Sequence, residues 1–260
     1  VNGFRLRGIS LCGNRHSDSA GVRFHKSTKA FRRDYLFDDT SWVAFGKPIH
    51  TTKESAVTDG YLGMLRVVNS TMYYNQWLLH CAPETGWNGL VFENNDCQDN
   101  GWYEAQGGID VGGSMIYIGK NILEGTRNPI VIRDGSRGVH IGLNYFESNP
   151  GDAYITLHEV GGFRIDPQYW GPEYEGPELP PIARRIWLQH ARNGECADAW
   201  EGIATKVASP KPAVEEALHR ARGNNPMKVW AGIPMFGPNR EFVQSAAWEA
   251  NSTSTIGGQI

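Results

Sequence analysis

Gly89-Leu-Val-Phe-Glu-Asn-Asn-Asp-Cys-Gln-Asp-Asn100 and Gly138-Val-His-Ile-Gly-Leu-Asn-Tyr-Phe-Glu-Ser-Asn149 follow one pattern. Leu90 and Phe92, like Val139 and Ile141, stand two residues apart. A polar residue follows at 95 or 144, and another apolar one, Cys97 or Phe146, comes two residues later. Leu65-Arg-Val67-Val-Asn-Ser70-Thr-Met72 and Ile116-Tyr-Ile118-Gly-Lys-Asn121-Ile-Leu123 repeat it. The polar position recurs at Ser70, Asn95, Asn121 and Asn144, in steps of 25, 26 and 23 residues.

Apolar residues two apart are the period of a strand with one buried face. The second apolar position begins a short strand after a bend. Asn suits a bend, because it tolerates a left-handed backbone and bonds locally. Stacked coil on coil, such side chains can bond to one another in a ladder. A coil of this length cannot bury its apolar face alone, so neighbours must stack on it. Ile109-Asp-Val111, Ile130-Val-Ile132 and Ile155-Thr-Leu157 supply a further strand per coil. Phe4-Arg-Leu6 with Leu11 reads as an earlier coil, and Phe163-Arg-Ile165 as the start of a later one. The fold class expected is all-β, a parallel solenoid. The alternative is an antiparallel sandwich, which also alternates apolar and polar residues.

Through these motifs, residues 1–168 resemble the right-handed, single-stranded parallel β-helix proteins of the pectate-lyase-like kind, most of all bacteriophage tailspikes. The resemblance implies binding, and cleavage, of a bacterial surface polysaccharide (capsule or O-antigen) on the outer face of the helix. It implies a homotrimer, a place in the virion (the phage tail) or outside the cell, and contacts with other tail proteins through a missing N-terminal segment. The competing expectations are a non-catalytic structural spike or adhesin, and a polysaccharide lyase or epimerase.

The chain's 31 glycines among 260 residues suit many tight turns rather than long helices. A formal net charge of −3 does not favour general binding to nucleic acid or anionic membranes. No apolar run reaches membrane-spanning length, so membrane insertion is not expected. The chain opens at Val1 inside a strand pattern, which reads as a processed chain or a fragment. The spacings of Cys12, Cys81, Cys97 and Cys196 fit no zinc pattern, and Cys97 falls at a buried repeat position. No cofactor or metal is expected.

Residues 26–60 break the rhythm with charged residues around Phe31, Tyr35, Phe37, Trp42 and Phe45, which reads as an insertion loop. Residues 169–181 are rich in Pro and Glu and read as a linker. Residues 182–260 are expected to form a smaller, β-rich C-terminal cap or oligomerisation segment, with a short helix at 212–222 and a strand at 227–236.

The register also sorts side chains. Asp110, Val131 and Thr156 lie between apolar positions and are expected to face outward, then Gly112, Arg133 and His158, then Gly113, Asp134 and Glu159. This gathers Asp110, Arg133, Asp134, His158 and Glu159 into one patch, with Asp166 close by. Glycoside hydrolysis needs two carboxyl groups about 5–5.5 Å or about 6.5–9.5 Å apart. Asp110, Asp134 and Glu159 are therefore the candidate catalytic residues. Arg133, His158, Trp102, Tyr103 and Tyr117 are the candidate substrate-binding residues. In a lyase, Arg133 would neutralise a uronate and His158 would take the proton. The dense Asp motif of calcium-dependent β-helix lyases is missing, a departure from that family. Trp87, Trp42 and Tyr35 are further candidates for stacking on sugar. Glu124 and Glu147, with Gln98 as their equivalent, form a second outward row that reads as a solvated ladder.

Overall fold

A computed structural model describes residues 3–14, 16–26, 34–53, 61–101, 107–173 and 184–196. These form 18 strands and, among the described residues, no helix. In chain order they are β1 (Gly3–Cys12), β2 (Ala20–Lys26), β3 (Asp34–Val43), β4 (Lys47–Lys53), β5 (Tyr61–Val68), β6 (Thr71–Tyr73), β7 (Leu79–Cys81), β8 (Gly86–Glu93) and β9 (Asp96–Gln98). Then come β10 (Ile109–Gly119), β11 (Ile122–Glu124), β12 (Ile130–Ile141), β13 (Tyr145–Glu147), β14 (Ala153–His158), β15 (Gly161–Ile165), β16 (Tyr169–Trp170), β17 (Arg184–Gln189) and β18 (Arg192–Cys196).

Each strand pairs in parallel with its counterpart one coil away, so the chain is a β-solenoid and not an antiparallel sandwich. Leu65, Leu90, Ile116 and Val139 lie in one row, continued by Phe163. Met72, Cys97, Leu123, Phe146 and Trp170 form a second row. Ile49, Leu79, Ile109, Ile130, Ile155 and Ile186 form a third. These rows meet in one continuous core. Cys97 is fully buried in it, as its place in the repeat predicts.

The corner between the first row and the short strands is built from the predicted ladder. The Ser70 amide donates to Asn95 Oδ1 (3.0 Å), the Asn95 amide to Asn121 Oδ1 (3.0 Å) and the Asn121 amide to Asn144 Oδ1 (3.2 Å). The ladder extends past both ends of the sequence motif. Thr40 donates its amide to Ser70 Oγ, and Asn144 donates its amide to Gln168 Oε1. Asn121 Nδ2 also donates to the Phe92 carbonyl and to Asn144 Oδ1. The left-handed residue is not the ladder Asn but the one before it: Asp39, Asn69, Asn94 and Lys120 have φ between 52° and 57°. That conformation costs a non-Gly residue roughly 1–2 kcal/mol. A second corner repeats the device. Ala44, Tyr74, Asp99 and Ser148 have positive φ, and the buried Asn75, Asn100 and Asn149 follow three of them. Asn75 Oδ1 accepts from the Phe45 amide, Asn100 Oδ1 from the Asn75 amide and Asn149 Oδ1 from the Thr126 amide.

Two boundaries differ from the sequence reading. Residues 34–53, expected within an insertion, form β3 and β4, a regular part of the solenoid. Phe37 and Trp42 are fully buried there, and Thr40 takes the corner position. Charge around these aromatics masks the repeat in the sequence. At the other end, β16 lies inside the expected linker, and β17 and β18 pair with β14 and β15. The solenoid thus continues to Cys196, because Ile186 and Leu188 match Ile155 and Leu157. The expected helix at 212–222 and strand at 227–236 fall outside the described residues.

Asn121→Ala removes four buried hydrogen bonds and leaves the Asn95 amide without its acceptor. It is expected to lower the unfolding free energy by about 3 kcal/mol or more. Urea titration of the variant checks this, and a loss within about 1 kcal/mol would show the ladder to be dispensable.

Candidate functional site

The predicted patch divides between a buried clamp, an exposed turn and a different flank. Asp110 and Arg133 are brought together, but beneath the surface. Asp110 is only 4% exposed, and Arg133 Nε lies 2.5 Å from its Oδ1. Arg133 Nη2 donates to the Cys81 carbonyl, so the side chain ties its own coil to neighbours. Gly112 is its register partner on the neighbouring strand. The expectation that Asp110 faces solvent is thereby corrected: the stacked side chains of the adjacent coils cover it.

The row continues below Asp110 with His80 and His50. Their Nδ1 atoms are 3.0 Å apart, and the Trp77 ring packs edge-on against His80 with centroids 4.4 Å apart. Burial, reinforced by His50, Lys47 and Arg133, depresses the His80 pKa to about 3. Burial likewise pushes the Cys81 thiol up to about 11, which keeps it from acting as a nucleophile.

His158 is half-buried with its ring perpendicular to that of His190, and Glu159 is exposed at a turn with φ 53°. Asp134 occupies β12 beside Arg133, and its side chain lies outside the described part. Trp102 and Tyr103 also fall outside it. Tyr117 belongs to another flank, past the irregularity between Gly112 and Ser114 that bends β10. There it meets the edge of His140, with centroids 5.2 Å apart. Trp42 and Trp87 are fully buried, and Tyr35 packs against the core, so these aromatics are core residues rather than a sugar platform.

Tyr117's flank carries several paired charges. Asp166 accepts from His140 Nε2 at 2.7 Å and Arg164 Nε at 2.6 Å, which together hold its carboxyl below the usual range despite partial burial. Lys120 pairs with Glu93 at 2.8 Å, and Arg7 with Asp38 at 3.3 Å.

The short-strand flank, β6, β9, β11, β13 and β16, is built differently. Its buried central row leaves two outward rows. Thr71, Asp96, Ile122, Tyr145 and Tyr169 form one; Tyr73, Gln98, Glu124 and Glu147 form the other. Tyr145 and Tyr169 are stacked, with centroids 5.2 Å apart, and Tyr169 is 62% exposed. Ile122 is exposed beside them. Tyr145 donates its hydroxyl to Glu147, and Tyr73 donates to Asp96 Oδ2 at 2.7 Å. Gln98 Nε2 donates to Asp96 Oδ1 at 3.1 Å. The bond to Glu147 pushes the Tyr145 hydroxyl up to about 12, and burial aided by Asp96 does the same to Tyr73. Glu124 faces Glu147 in register. Partial burial, then Glu147, Asp99 and Asp96, raise its pKa.

This flank presents exposed, stacked rings beside carboxylates. Sequence reasoning placed Glu124, Glu147 and Gln98 there but missed Tyr73, Asp96, Tyr145 and Tyr169. The available signal was that the residues on either side of the repeat's last apolar position must both point outward. Among the described residues, no group of three or more His, Cys, Asp and Glu could hold a metal. Comparison with protein-family models, with curated proteins and with solved structures finds no match for this chain.

Two predictions follow the chemistry of the clamp. Arg133→Ala leaves Asp110 buried without its cation and is expected to destabilise by about 3–5 kcal/mol. The double variant with Asp110→Asn should recover much of that loss in a thermodynamic cycle; additive losses would contradict the pairing. For His80, the folded pKa lies below the unfolded value of about 6.5. The stability it contributes is present above pH 6.5 and is lost progressively as pH falls toward 3. His80→Phe should flatten that part of the stability profile in urea titrations across pH; an unchanged slope would count against it.

Proposed function

We propose that this β-solenoid recognises a bacterial surface polysaccharide, capsule or O-antigen, in the manner of a phage tailspike, and that the glycan lies on the short-strand flank. The observation that carries this reading is the outward pairing of tyrosine rings with carboxylates along stacked coils, centred on Tyr145, Tyr169, Glu124 and Glu147. Rings of this kind bury the apolar faces of sugars, and ionised carboxylates accept hydrogen bonds from their hydroxyls. Successive coils repeat about every 4.8 Å, so a chain-like ligand meets equivalent groups again and again. The resemblance to tailspikes extends the proposal to a homotrimer on a virion.

Binding is supported more directly than cleavage at the patch first considered, because Asp110 is committed to Arg133. For cleavage, Glu124 and Glu147 are the better-placed carboxyl pair. Their strands are register neighbours, and partial burial, then Glu147, raise the Glu124 pKa.

The test is a panel of bacterial capsules and O-antigens, with binding measured by calorimetry and products by mass. Tyr145→Ala and Tyr169→Ala should each weaken binding of the retained glycan about tenfold. Glu147→Gln should abolish any chain shortening. Full affinity in both tyrosine variants would remove the short-strand flank as the site.

A further inference from the structure

We infer that the short-strand flank takes glycans without anionic groups and rejects polyuronates and other acidic polymers; this rests on the proposed glycan-binding role of the same flank. The first ground is hydrogen-bond chemistry. An ionised carboxylate only accepts. The Tyr73 and Tyr145 hydroxyls, which could have donated to a ligand, already donate to Asp96 and Glu147. Gln98 likewise turns its amide toward Asp96. The Thr71 and Tyr169 hydroxyls and one Gln98 N–H remain as donors, but acceptors predominate, and the surface complements a ligand rich in hydroxyl or amine donors. A uronate carboxylate would bring further acceptors and find few partners.

The second ground is charge. On the neighbouring flank, three carboxylates are matched: Asp38 by Arg7, Glu93 by Lys120, Asp166 by His140 and Arg164. On the short-strand flank, Asp96, Asp99, Glu124 and Glu147 form no ion pair with any described Lys, Arg or His. Directly opposed like charges such as Glu124 and Glu147 destabilise a sheet. A surface serving only solubility would be better served by the alternating signs of its neighbour. The aromatic stack beside these acids supplies a reason for a ligand to settle there, and the unmatched charge decides which one. Repulsion acts over about 8 Å at physiological ionic strength, enough to cover the width of these two rows.

The experiment measures affinity electrophoresis of the whole chain in gels containing dextran, galactomannan or chitosan, and in gels containing polygalacturonate or alginate. The wild type, Tyr169→Ala and the triple variant Asp96→Asn/Glu124→Gln/Glu147→Gln are compared after thermal melting has shown all three to be folded. The expected result is retention by at least one uncharged or amine-bearing polymer, lost in Tyr169→Ala. Polyuronates should bind at least tenfold more weakly, and the triple variant should narrow that gap. A polyuronate held as tightly as any neutral polymer, and released by Tyr169→Ala, would overturn the charge selection while leaving the glycan site intact. Retention by no polymer of either kind would overturn both.

Discussion

A buried amide that bonds to the next copy of itself fixes the geometry of this molecule. At each corner the chain must turn without exposing the core, and turning leaves backbone N–H groups with no strand partner. The ladder Asn answers that need with its own carbonyl, which accepts the amide of the residue one coil earlier, as Asn95 does for Ser70 and Asn121 for Asn95. Its side-chain N–H groups close the remaining gaps, reaching Val67 from Asn95 and Phe92 from Asn121. An unsatisfied buried group costs about 1–3 kcal/mol, so each rung also forbids the register shifts that would leave it unpaired. The left-handed residue before the rung is tolerated because the ladder over-determines the turn.

That constraint also decides which side chains reach the surface. With two corners locked, the short strands between them hold three residues each, the middle one buried. The outer two project on either side at a fixed pitch. The same pitch that stacks Met72, Cys97, Leu123 and Phe146 inside stacks Glu124 on Glu147 and Tyr145 on Tyr169 outside. The long strands spend their polar residues differently. Asp110 and Arg133 clamp coils together from within, while His140, Arg164 and Asp166 neutralise one another. Polar residues on one scaffold thus sort into those that hold it and those that project from it.

The scaffold was largely legible because burial imposes periodicity. The rows through Leu65 and Met72, and the ladder from Ser70 to Asn144, follow from spacing alone. What stayed hidden was whatever depended on side-chain length or on neighbours far along the chain. Thr40 and Gln168 close the ladder's ends, yet neither matches Asn by type. The second ladder runs through Asn75, Asn100, Thr126 and Asn149 in steps of 25, 26 and 23, with Thr126 breaking the run of Asn. Asp110 sits at an outward position and is nonetheless buried, paired with Arg133 from the adjacent coil. Alternation gives a side chain's direction at its root; it cannot say what folds over the top.

The most direct test of this account is amide hydrogen exchange at the corner rungs. If the ladders hold the solenoid, the amides of Ser70, Asn95 and Asn121 should exchange only with global unfolding, as slowly as those of the central core strands. Their exchange by local opening, at rates like those of exposed turns, would contradict the claim that these buried amides organise the fold.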